Sequence, residues 1–100
     1  MIKVFHNKDF CDYFFHKDIT KGEKVFAAEV ATDNLEVAYT LTNNFETPWT
    51  KNEGVFPSDQ SMRSTSVGDL LVQDSKVYVV ASAGFEELTP EQASSLSLDL

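Results

Sequence analysis

The chain holds a single cysteine, Cys11, so no internal disulfide can form. That usage fits a reducing compartment, and the sequence reads as cytoplasmic. No apolar run approaches the roughly 18 residues a membrane helix needs. No signal core of about 7–15 apolar residues follows the opening Met-Ile-Lys-Val-Phe-His. No Asn-x-Ser/Thr acceptor for glycosylation is present. Positive charge is scarce as well: 8 Lys and Arg stand against 16 Asp and Glu, a formal balance of −8. Neutralising phosphates takes clustered Lys and Arg, so nucleic acid is not an expected partner.

What is present suits one globular domain over residues 1–100. Apolar residues make up 42% and charged residues 24%, close to the globular average. Eight Phe supply core material, and two separate cores do not fit in a chain of this length. The charge is uneven. Residues 1–31 balance five Lys with five acids, whereas residues 32–100 set Lys51, Arg63 and Lys76 against eleven acids. Such a half favours solubility; its sharper reading is a basic partner, or mimicry of a polyanion.

The pattern predicts an α+β fold with a small, mainly antiparallel sheet of about four or five strands. Ile2-Lys3-Val4-Phe5-His6 alternates as a first strand. Residues 9–17 place Phe10, Tyr13, Phe14 and Lys17 at helical spacing, in a short helix or turn. Lys24-Val25-Phe26-Ala27-Ala28-Glu29-Val30 reads as a second strand, with Phe26, Ala28 and Val30 on one face and Val25, Ala27 and Glu29 on the other. Asp33, three residues before Glu36, forms a D-x-x-E capping box that opens a helix over 34–43. Asn43-Asn44 is its left-handed stop. Residues 45–66 read as a long loop. A hairpin then runs from Leu70 to Ser82 around the two-residue turn Asp74-Ser75, and Gly84 to Leu88 continue as a bend and last strand. Thr89-Pro90-Glu91-Gln92 is a helix start, so the tail 89–100 is a short helix or frays.

Several of these segments together resemble a family of small uncharacterised proteins of bacteria, phages and plasmids. The likeness is carried by Leu35-Glu36-Val37-Ala38-Tyr39-Thr40-Leu41-Thr42-Asn43, by Pro48-Trp49 and by Asn52-Glu53-Gly54-Val55. It continues through Arg63-Ser64-Thr65-Ser66-Val67-Gly68-Asp69, Tyr78 and Gly84-Phe85, over about residues 24–88. The resemblance implies a helix followed by a Trp-containing loop and a C-terminal hairpin, in a mobile-element setting. It implies no activity and no catalytic residues.

Candidate sites follow from residue types. Arg63, Ser64, Ser66 and Asp69 are the densest polar motif. Turn chemistry explains them first, with Gly68 supplying a special φ and Arg63 anchoring an ion pair to Asp69 or a loop Glu. Ser64 or Ser66 as a nucleophile needs a general base nearby, and both His residues lie far off in sequence. His6, Cys11 and His16 match no usual zinc spacing, so no metal and no cofactor is expected. Trp49 and Phe56, aromatic residues on a polar loop, have the character of interface anchors. The aromatic run Phe10, Tyr13, Phe14 and Phe15 is core material or a docking surface. The leading expectation is a non-catalytic binding or accessory module with an unknown protein partner, no membrane, and a monomeric or weakly dimeric state. The alternatives are an acidic inhibitor of a nucleic-acid enzyme, and a small enzyme or ligand-binding domain using Arg63, Ser64, Ser66 and Asp69.

Overall fold

The computed structural model describes residues 1–8, 23–43, 49–58 and 63–96. The aromatic segment 9–17, Cys11, His16, Pro48 and the last four residues lie outside them. Six strands form one sheet: β1 (Ile2–Asn7), β2 (Lys24–Val30), β3 (Val55–Pro57), β4 (Leu70–Gln73), β5 (Lys76–Ala81) and β6 (Gly84–Glu87). The order is β3-β2-β1-β4-β5-β6, and every neighbouring pair is antiparallel. Among the described residues, two helices, α1 (Leu35–Thr42) and α2 (Pro90–Ser95), and a 3₁₀ turn (Trp49–Lys51) accompany the sheet in an α+β fold.

The strand count exceeds the expected four or five because of β3. This three-residue edge strand lies inside the stretch read as a long loop, which also holds the 3₁₀ turn. Three residues are too few to show an alternation. Pro57 is tolerated there because an edge strand keeps one side of its backbone unpaired.

β1 lies between β2 and β4, and its composition explains why. Ile2 and Val4 are fully buried on one face and Phe5 is buried on the other, so both faces need cover. The first face packs Ile2, Val4, Val30 and Leu71 against Ala38 of α1 and Trp49. The second packs Phe5, Leu70, Val72, Val77 and Val79 against Leu88, with Ala93 and Leu96 alongside.

Simple alternation fails in β2. Val4 pairs with Ala28 but Phe5 pairs with Phe26, so Ala27 is an extra residue, a β-bulge. The bulge moves Phe26 to the face of Phe5, where the two rings meet edge-on at 5.5 Å. Val25 moves to the other face. The expected grouping of Phe26 with Ala28 and Val30 is thereby corrected.

The N-cap of α1 also differs from expectation. The N-cap is Asn34, not Asp33: its Oδ1 accepts from the backbone N–H groups of Glu36 (2.9 Å) and Val37 (3.2 Å). Asp33 instead accepts from the Met1 ammonium at 3.1 Å. Asn43 ends the helix at φ −126°, outside the left-handed region, and Asn44, the other residue of the expected stop, lies outside the described residues. The Asn43 side chain donates to the Thr65 carbonyl and to Tyr39 Oη, which holds it there. The C-terminal predictions hold. Asp74 and Ser75 both adopt positive φ (49° and 69°), as a tight hairpin requires. Thr89 and Gln92 form a reciprocal capping box with Pro90 in the first turn.

Candidate functional site

The polar motif is built where the loop enters β4. Gly68 at φ 95° and Asp69 together oppose Val80: the Gly68 N–H donates to the Val80 carbonyl, and the Val80 N–H donates to the Asp69 carbonyl. This is a β-bulge with glycine in the left-handed position. It turns the Asp69 side chain toward the end of β1 and back toward residues 63–66.

There Asp69 is 0% exposed, and both carboxylate oxygens are occupied. Oδ1 accepts from the Asn7 N–H (2.8 Å) and from Arg63 Nη2 (2.7 Å). Oδ2 accepts from the Ser66 N–H and Arg63 Nη1, both at 2.7 Å. Two bonds to each oxygen fill the capacity of a carboxylate, and the paired guanidinium contact is the strong bidentate kind. Arg63 further donates to the carbonyls of Asn7 (3.0 Å) and Ser64 (2.9 Å) and to Ser66 Oγ (3.3 Å). The anchoring of Arg63 on Asp69 was readable in the sequence. The third party, the backbone of Asn7, was not.

Neighbouring residues extend the cluster inward. The Arg63 carbonyl accepts from Trp49 Nε1 at 2.9 Å, and the Thr65 N–H donates to the Thr42 carbonyl at 2.8 Å. Thr65 Oγ1 lies 3.0 Å from His6 Nε2. His6 is only 3% exposed, and its edge meets the Trp49 ring at a centroid distance of 6.1 Å. Burial pushes the imidazole down to a pKa of about 4; Asp69 opposes this and Arg63 adds to it. The ring is therefore neutral near pH 7. Its Nδ1 has no hydrogen-bond partner among the described residues.

A hydroxyl beside an imidazole is the beginning of a nucleophile–base pair, and sequence distance concealed it. The geometry makes it structural. Thr65 is fully buried, so no substrate reaches its hydroxyl, and Asp69 spends its oxygens elsewhere instead of orienting His6. Of the sequence-selected residues, Arg63, Ser64, Ser66 and Asp69 do converge, but on one another. Trp49 joins them from beneath at 2% exposure, so it staples the loop and does not present a surface anchor. Phe56 stands apart on β3 and is 59% exposed.

No group of three or more His, Cys, Asp or Glu with metal-binding arrangement occurs among the described residues. No described helix is long and apolar enough to cross a membrane. Comparison with protein-family models, curated proteins and solved structures finds no match for this chain.

Proposed function

We propose that this domain is a non-catalytic protein-binding module of a bacterium or mobile element, the setting its family resemblance implies. The observation that carries the reading is the closure of the Arg63–Asp69 cluster. The densest polar motif in the sequence is consumed as a clamp joining β1, the 63–66 segment and β4. What remains for function is the surface. There Phe56 (59% exposed) and Phe26 (38% exposed) lie on one face of β2 and β3, and exposed aromatics are common interface anchors.

The acidic-inhibitor reading has less support. Among the described residues the exposed carboxylates do not form one stripe: Glu53 lies beside β3 and Glu86 and Glu87 on β6, at opposite edges of the sheet. A photo-crosslinking residue placed at position 56 or 85 in cells that carry the protein tests the module reading. Covalent capture of a discrete protein from either position is the expected result. An absence of adducts from both, with position 49 as the buried control, would count against it.

A further inference from the structure

The two edges of the sheet differ. β3 is short and contains Pro57, a device that blunts edges. β6 is four residues long and contains no proline. The Leu88 N–H donates to the Val77 carbonyl, and Val79 pairs with Glu86 and Ala81 with Gly84. In an antiparallel ladder, inward bonding alternates. Residues 84, 86 and 88 therefore bond to β5, and the N–H and C=O groups of Phe85 and Glu87 point outward. Among the described residues, no further strand pairs with them.

Beside this edge runs an open groove of about 220 Å³ between β6 and α1, lined by Glu36, Tyr39, Val67, Val80, Ser82 and Phe85. Its floor is aromatic: the Tyr39 and Phe85 rings meet edge-on at 6.1 Å. Phe85 and Glu87 share the groove's face of the sheet, because Glu87 pairs with Tyr78 and Tyr78 with Leu71. A free strand edge flanked by a helix, with a lined groove between, is the arrangement in which an extended peptide adds a strand and drops alternate side chains into pockets.

We infer that the β6 edge and the groove beside α1 take an extended, basic segment of a partner protein as a seventh strand. This deepens the binding-module reading and rests on it. Charge selects the occupant. On the groove's face Glu36 and Glu87 are exposed and form no ion pair among the described residues. Two cations on the groove side of the added strand would meet Glu87 on the edge and, in the groove, Glu36 with the Tyr39 and Phe85 rings, which attract cations. The same charges disfavour a second copy of this chain, since antiparallel edge-to-edge pairing through the outward groups of Phe85 and Glu87 would set Glu86 against its counterpart.

The test uses the capped hexapeptide Thr-Val-Arg-Val-Lys-Val, whose two cations share one face, titrated into the isotope-labelled chain and followed by amide NMR. The expected result is shifts centred on Tyr39 and residues 81–88, with slowed hydrogen exchange at Phe85 and Glu87 but not at Glu86. Glu36→Gln and Glu87→Gln should each weaken binding about two- to fivefold, as exposed ion pairs do. Glu87→Pro removes an outward N–H without touching the β5 ladder, and should weaken binding further than Glu87→Gln. The peptide with Glu in place of Arg and Lys should not bind. Shifts spread evenly to Asp33 and Glu53, or none at millimolar peptide, would overturn the proposal. Crosslinks from position 56 with none from position 85 would overturn it too while leaving the module reading intact.

Discussion

Asp69 and Glu87 carry the same chemical group and stand at opposite extremes of its use. Asp69 is sealed, with four donors on two oxygens. Glu87 is exposed on an edge strand, and its carboxylate pairs with nothing among the described residues. The difference shows that a conspicuous motif can be consumed entirely by the fold. The residues most easily picked out by eye hold the fold together, whereas Glu87 stands on an outer strand of the sheet.

The comparison can be broken first at its buried side. Asp69→Ala removes the carboxylate that accepts two bonds from Arg63 and one each from the Asn7 and Ser66 N–H groups. The loss should be about 3–5 kcal/mol by denaturant titration, whereas Glu87→Ala should change stability by less than about 0.5 kcal/mol. Equal losses would show that Asp69 is not the clamp.

Acid provides a second probe. The folded pKa of His6, about 4, lies below its ordinary 6.5. The unfolded chain therefore binds the proton more tightly. The stability at stake is fully present above pH 6.5, falls as the pH drops from 6.5 to 4, and falls no further below that on this account. The slope approaches about 1.4 kcal/mol per pH unit, or about 3 kcal/mol in all. Replacing His6 with Gln should flatten the curve within that window even where it lowers stability overall.

Gly68→Ala is the third test. A Cβ in the left-handed bulge position costs about 1–2 kcal/mol, and the Asn7 amide should lose protection from exchange with it. The smallest effect is expected at Phe56→Ala, within about 0.5 kcal/mol of wild type in stability. Its consequence should appear in partner capture instead.

Much of the fold was legible because local signals were redundant. The hairpin carried β-branched runs around a polar pair, and Thr89-Pro90 with Gln92 spelled a helix start. Arg63 is the lone Arg of an acidic half, and Asp69, six residues away, is among the acids nearest to it in sequence. The misses have physical causes. Asp33 and Asn34 are both good caps, and composition does not rank them. Ala27 has no property that announces a bulge, yet it reverses the facing of Phe26. The meeting of His6 with Thr65 spans 59 positions and depends on β1 lying beside β4, which no local pattern encodes. The groove beside β6 needed α1 placed over the sheet before Glu36 and Phe85 could be seen as neighbours.

The Arg63–Asp69 clamp also has a consequence in time. Its bonds to Asn7 close separations of 56 and 62 positions, and loops of that size are costly to form early. The clamp gives nothing to a chain whose first strand has not yet met its fourth. It therefore acts as a latch that closes after the sheet has assembled. Interactions absent from the transition state slow unfolding and leave the folding rate alone. The most recognisable stretch of this sequence is thus expected to set how long the native state lasts, more than how quickly it is reached.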